Sequence, residues 1–211
     1  MKLYTYFRSS AAFRVRIALN LKGLAYEPQF VHLPKGEHRD ASYARLNSQA
    51  LLPTLDDGGT LLNQSLAIIE YLEETRPVPA LLPKDAAGRA RVRSLALLVA
   101  CEIHPLNNLR TLQYLRKALA QDEEGIKTWY RHWIADGLGK LEADLARGPA
   151  GKFCYGDAPT VADCCLVPQV FNAKRYDSDL SRYPNVMRVF GECMKLEAFD
   201  KAQPAKQPDA E

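Results

Sequence analysis

Apolar and polar positions divide the chain into two stretches with different rhythms. In the first, short apolar runs alternate with helical periods. Residues 2–7 read as a strand, 11–23 as a helix stopped by Gly23, and 26–32 as a second strand. Residues 36–47 are charged and small, and predict a loop holding a short helix. Leu51-Leu52-Pro53-Thr54-Leu55 leads into Asp57-Gly58-Gly59, a hairpin signal between two short strands. Ser65-Leu66-Ala67-Ile68-Ile69-Glu70-Tyr71-Leu72 opens a helix with Ser65 as the expected N-cap. The order β-α-β-α-β-β-α is thioredoxin-like: a βαβ half, then a hairpin and a helix.

After Arg76-Pro77-Val78-Pro79-Ala80-Leu81-Leu82-Pro83, a stretch through which no helix runs, the period becomes helical almost throughout. Residues 86–118 and 122–146 carry apolar positions at three- and four-residue spacing. A turn at Gly148-Pro149-Ala150-Gly151 separates them from a later helix pair, which Thr160-Val161-Ala162-Asp163 starts in the manner of a capping box. The polar, Pro-containing tail from Gln203 is expected to fray. The expected fold class is therefore α/β plus all-α. A thioredoxin-like domain spans residues 1–78 and a helical-bundle domain residues 86–211.

Composition changes this picture mainly by exclusion. With 211 residues, 47% hydrophobic and 25% charged, the chain reads as an ordinary globular protein with room for two cores. The net charge of +3 is spread without a Lys/Arg stripe, which argues against nucleic acid as a partner. No apolar run predicts a membrane span, and the N-terminus lacks a signal peptide's layout, so a cytoplasmic location is expected. The five cysteines form no CxxC pair, and buried free thiols are expected of them. His32, His38, His104 and His132 are scattered, so no metal site is expected.

Three short segments carry candidate chemistry. Arg8-Ser9-Ser10 is a cationic turn at a helix start, where hydroxyls and unpaired N–H groups either hold an anion or thiolate or simply cap the helix. At Leu52-Pro53, a cis peptide would leave the Leu52 backbone open to pair with a peptide-like ligand; the alternative is an edge-strand proline. Gln64-Ser65 stands at a second helix start, able to take a carboxylate or to act as a cap.

In this order, the three segments resemble the glutathione site of the cytosolic glutathione transferases. Ser9-Ser10-Ala11-Ala12-Phe13-Arg14-Val15-Arg16-Ile17-Ala18-Leu19 resembles the signature of the zeta class, which includes maleylacetoacetate and maleylpyruvate isomerases. Gly156-Asp157-Ala158-Pro159-Thr160-Val161-Ala162-Asp163 extends the resemblance into the helical half. One position departs from the pattern: Ala11 stands where the family often has Cys. A protein thiol in the turn is thereby disfavoured, and glutathione must bring the sulfur.

The resemblance implies a glutathione-dependent cis–trans isomerase and a C2 homodimer. Ser9, with Ser10 second, would act on the thiol alongside Arg8. Gln49, Leu52, Pro53, Gln64, Ser65, His104 and Asn108 would approach glutathione, and Arg8, Arg110 and Arg175 a small dicarboxylate diketo acid. Arginine suits that substrate because its fork binds carboxylates bidentately. Two other readings share the same segments: a glutathione transferase or dehalogenase acting on small haloacids, and a non-catalytic protein of this fold.

Overall fold

The computed structural model describes residues 1–149 and 151–211; Ala150, in the expected Gly148–Gly151 turn, lies outside them. Two compact units result. One comprises Met1–Leu81 with Met194–Glu211, the other Leu82–Cys193. The first break falls at the expected linker. The last eighteen or so residues, expected in the helical domain and frayed at the end, instead belong to the N-terminal unit.

The N-terminal unit is built on β1 (Lys2–Thr5), α1 (Ser10–Leu21), β2 (Glu27–Phe30), the one-turn α2 (Ala41–Ala44), β3 (Thr54–Asp57), β4 (Thr60–Asn63) and α3 (Ser65–Thr75). The sheet order is β2-β1-β3-β4, with β1 parallel to β2 and antiparallel to β3. Asp57 pairs with Thr60 across Gly58 and Gly59, whose φ angles of 64° and 96° are those that a two-residue hairpin loop needs. Leu3, Leu55, Phe13, Ile17, Ile68 and Leu72 fill the core between sheet and helices.

Two of the cations buried in this unit, Arg16 and Lys22, explain its boundaries. Arg16 is fully buried on α1, in a run that is apolar from Ala11 to Leu19 apart from it and Arg14. Its guanidinium donates to Tyr6 O (3.3 Å), Phe7 O (3.0 Å), Thr5 Oγ1 (3.0 Å) and Ala202 O (3.2 Å), joining the end of β1 to the C-terminal segment. Burial lowers its pKa to about 10, against the pull of Tyr26 and Asp209, so the group stays charged at neutral pH. Lys22 is tied to Glu73 at 2.8 Å and donates also to Arg76 O and Pro79 O, while Glu73 accepts from Leu81 N–H. The proline-rich stretch is thus fixed to α1 and α3.

The helical unit begins with α4 (Ala86–Leu97), α5 (Leu109–Ala118) and α6 (Glu123–Arg147), followed by α7 (Val161–Arg175). α8 (Pro184–Met194) closes the unit, and α9 (Glu197–Lys201) returns to the N-terminal one. The continuous helix expected over 86–118 is interrupted by a π-helical stretch at Leu98–Ile103 and a 3-10 turn at His104–Asn107. Pro105 is the physical cause, having no N–H to donate into an α-helical ladder.

At the start of α7 the Thr160/Asp163 box forms, and it does more than initiate a helix. Asp163 is fully buried and accepts from Thr160 N, Thr160 Oγ1 and Cys154 N, each at 2.8 Å. Burial raises its pKa against the opposing effect of those hydrogen bonds. All five cysteines are free, and burial, with Asp163 adding to it, pushes the Cys154 and Cys193 thiols up. Among the described residues, no helix is long and apolar enough to cross a membrane, and no cluster of His, Cys, Asp or Glu could hold a metal ion.

Two stability predictions follow from these buried charges. Arg16→Met removes the side-chain donors of Phe7 O and Ala202 O, and one of the two donors to Tyr6 O. At about 1–3 kcal/mol per buried orphan, it should cost ~3 kcal/mol or more in urea unfolding, with Arg16→Lys recovering only part. Asp163→Asn turns one acceptor oxygen into an NH2 group facing a backbone donor, and should cost about 1–3 kcal/mol in thermal denaturation.

Candidate active site

The first candidate segment lies at the top of β1. Ser9 is the N-cap of α1 in extended conformation, φ −70° and ψ 110°, and its Oγ accepts from Ala12 N–H at 3.2 Å. Its own N–H donates to Tyr6 O at 2.9 Å, closing a tight turn. Ser9 and Ser10 retain 9% and 8% exposure, and no acidic residue lies in the first turn of α1. The partial positive charge of the helix start is therefore not neutralised locally. Arg8 is exposed, with its guanidinium 4.8 Å from the centroid of the Phe7 ring.

Antiparallel pairing of Tyr4 with Thr54 sets the second segment beside the first. The Leu52–Pro53 peptide is cis, and β3, which it enters, is an internal strand of the sheet. An edge-strand proline is therefore excluded. The loop is held from behind: Leu51 O accepts from Tyr43 Oη (2.6 Å) and Asn47 Nδ2 (2.8 Å), and both groups also bond Thr54 Oγ1. Among the described residues the Leu52 backbone makes no hydrogen bond. Its polar groups are free to pair in strand fashion with a peptide-like ligand.

The third segment opens α3. Here the expected cap is corrected: Gln64, not Ser65, is the N-cap, and its φ of 68° is unusual for a non-glycine residue. Its side chain does not cap the helix; Nε2 donates to Gln49 Oε1 at 2.5 Å on the surface. Ser65 lies one residue inside the helix, buried, accepting from Arg14 Nη1 at 3.2 Å. Backbone strain of this kind persists where surroundings over-determine it, and it gathers at ligand clamps. α3, like α1, has no acid in its first turn.

The N-terminal unit thus brings Ser9, Ser10, Leu52, Pro53, Gln49, Gln64 and Ser65 to one end of the sheet. The sequence reading missed the residues that hold them there. Arg14 bridges α1 to the start of α3, and Arg16 fixes the turn before Ser9. Their signal was present: two arginines, two apart, on a helix otherwise apolar through Leu19. Tyr43 and Asn47 carried no comparable signal.

Within the helical unit, His104, Asn108 and Arg110 come together, although not on one continuous helix. Asn108 is the N-cap of α5; its Oδ1 accepts from Arg110 N at 3.2 Å and its Nδ2 lies 3.3 Å from His104 Nε2. Arg110 is exposed in the first turn of α5. Arg175 stands apart from this group at the end of α7. Its guanidinium lies 5.0 Å from the Tyr176 ring centroid, and that ring stacks on buried Tyr130 at 3.6 Å and 8°.

Comparison with known proteins bears on this arrangement. Residues 3–81 match the N-terminal domain family of the glutathione S-transferases, and residues 134–192 the C-terminal domain family. A maleylpyruvate isomerase of Ralstonia sp is 53% identical over 211 residues, covering all of both chains. A holo structure of a maleylpyruvate isomerase, described as a bacterial zeta-class glutathione S-transferase, is 52% identical with a TM-score of 0.98 over the whole of both chains. A maleylacetoacetate isomerase of Methylobacterium extorquens AM1, solved with malonate and glutathione bound, is 42% identical with a TM-score of 0.97, again over both full chains.

Proposed function

The chain belongs to the glutathione S-transferase family, in its zeta class, and on that footing we propose that it is a glutathione-dependent cis–trans isomerase of maleylpyruvate or maleylacetoacetate. The observation that carries the reading is the group of Ser9, Leu52 and Gln64 at one end of the sheet, in a chain that matches such isomerases over its full length.

These residues fit glutathione. The unpaired Leu52 backbone takes the cysteinyl peptide, and the acid-free start of α3 at Gln64-Ser65, with Gln49 beside it, takes the γ-glutamyl carboxylate. Ser9 Oγ and the start of α1 face the sulfur, with Ser10 second. His104 and Asn108 are assigned to glutathione on the family resemblance. When bound, glutathione supplies a thiolate that adds reversibly to the activated double bond, so that rotation precedes its release. A free thiol has a pKa of about 8.5, and a helix start contributes up to ~1–2 kcal/mol toward ionising it. The Ser9 hydroxyl adds a charge-assisted hydrogen bond of comparable size.

Arg8, Arg110 and Arg175 supply what a diketo diacid requires. Negative charge develops on the keto oxygen as sulfur adds, and a guanidinium placed there lowers the barrier. The remaining arginines hold carboxylates. Three exposed arginines favour a dianion over a neutral or singly charged electrophile. The M. extorquens relative, solved with malonate and glutathione bound, supports the same substrate chemistry. Free cysteines throughout fit a reducing, cytoplasmic setting, and the active species is read as a C2 homodimer.

Two tests address this reading. Gln64→Ala should weaken glutathione binding by about 1.5–3 kcal/mol in calorimetry, the worth of hydrogen bonds to a charged group. Unchanged affinity would move the γ-glutamyl end elsewhere. Arg8→Ala and Arg110→Ala should each spare glutathione affinity while lowering kcat/KM for the diketo acid about 10- to 150-fold. Lysine at either position should restore only part, and wild-type rates in both alanine variants would overturn the anion-pocket assignment.

A further inference from the structure

The C-terminal segment ends against the turn that carries Ser9. α9 leads into a short 3-10 turn at Pro204–Lys206, and from there the chain runs back to the top of β1. Asp209 Oδ2 accepts a hydrogen bond from Phe7 N–H at 2.9 Å, between residues 202 positions apart in the chain. Phe7 stands two residues before Ser9.

The consequence lies in the Tyr6–Phe7 peptide. Its carbonyl oxygen accepts from Arg16 Nη1 at 3.3 Å and from Ser9 N–H at 2.9 Å. Its N–H donates to Asp209. The peptide plane is held at both polar ends, by a guanidinium on one side and a carboxylate on the other. The bond from Ser9 N–H makes that plane the support of the N-cap itself. If the N–H end were released, the plane could rotate about its flanking dihedrals, taking with it the carbonyl that orients Ser9.

The segment is anchored well enough to serve as a clamp. Gln207 Nε2 donates to Lys201 O (2.8 Å) and Gln203 O (2.9 Å), and Ala210 N–H donates to Gln207 O (3.0 Å). Glu211 Oε1 meets His32 Nε2 at 2.8 Å. Asp209 Oδ1 is buried and, among the described residues, has no hydrogen-bond partner. Such a placement is unfavourable by itself; the Phe7 bond and the positive charge of Arg16, with which Asp209 interacts, offset it.

We propose that Asp209 is a positioning residue for the thiol site: by fixing the Tyr6–Phe7 peptide it aims Ser9 Oγ and the first N–H groups of α1 at the glutathione sulfur. The proposal rests on the assignment of Ser9 made above. It extends the site to the far end of the chain, in a residue that acts through the Tyr6–Phe7 peptide.

The test compares Asp209→Ala, Asp209→Asn and Ser9→Ala in the full chain. Two readouts do not depend on turnover: ultraviolet titration of the thiolate of protein-bound glutathione, and amide hydrogen exchange at Phe7 and Ser9 without glutathione. Asp209→Ala should speed exchange at both amides and raise the thiol titration midpoint by about 0.5–1 pH unit, lowering kcat at neutral pH about three- to tenfold. Glutathione affinity should change much less than kcat. Asp209→Asn keeps an acceptor oxygen and should stay within about twofold of wild type. If Ser9→Ala shifts the titration while Asp209→Ala does not, the proposal is overturned and the Ser9 assignment stands. A lower melting temperature in Asp209→Ala with unchanged titration and kcat, measured where the variant is folded, overturns it too. So does an Asp209→Asn variant as impaired as Asp209→Ala. If Ser9→Ala itself shifts nothing, the sulfur does not lie at this turn, and the underlying assignment falls together with the proposal.

Discussion

The N-terminal unit depends on a guanidinium buried without a carboxylate in hydrogen-bond contact. Arg16 replaces its hydration shell with backbone carbonyls from two distant parts of the chain and one threonine hydroxyl. Burying such a group is unfavourable unless nearly every donor is used, and a planar fork with five N–H groups can reach several acceptors where an ammonium cannot. The acceptors are what matter for function. Tyr6 and Phe7 form the turn before Ser9, and Ala202 belongs to the returning C-terminal segment. The same side chain that closes the core thereby fixes the geometry of the helix start at which a thiolate can be held.

The helical unit has a counterpart of opposite sign. Asp163 gathers the backbone of Cys154 and both polar groups of Thr160, tying the segment before α7 to its first turn. Its presence also determines what the cysteines cannot do. Burial and this neighbouring carboxyl push the Cys154 and Cys193 thiols upward, away from the thiolate that redox chemistry needs. With Ala11 in the turn, the segment around Ser9 brings no thiol of its own.

Much of the fold was legible because it depends on local signals. Strand and helix periods gave the β-α-β-α-β-β-α order, and Asp57-Gly58-Gly59 marked the hairpin. Where the reading failed, a local rule was overridden by tertiary partners. Ser65 looks like a cap by residue type, yet Arg14 takes its hydroxyl and a strained Gln64 holds the cap position. The polar tail looks frayed by composition, yet Asp209 and Glu211 find Phe7 and His32 in the folded chain. Pro105 was a visible breaker, and it stands where apolar periodicity alone suggested one long helix. Of the site, the three turns were legible as motifs, whereas the side chains that hold them were not. A supporting arginine or asparagine has no signature until its partners are in place.

The helix starts carry one further regularity. α4, α6 and α7 meet their N-terminal N–H groups with carboxylates, from Asp85, Asp122 and Asp163. α1, α3 and α5 do not: their caps are Ser9, Gln64 and Asn108, and no acid follows in the first turn. An uncompensated helix start forgoes a few tenths to about 1 kcal/mol of stabilisation that an acid would provide. α5 goes further, placing Arg110 in its first turn, where a cation opposes the dipole. Arg175 lies instead in the last turn of α7, where a cation is favoured without any ligand. The two arginines are therefore not equivalent as arguments. Local electrostatics already account for Arg175, but not for Arg110. On the proposed reading, the acid-free starts of α1 and α3 are where the thiolate and the γ-glutamyl carboxylate of glutathione are held.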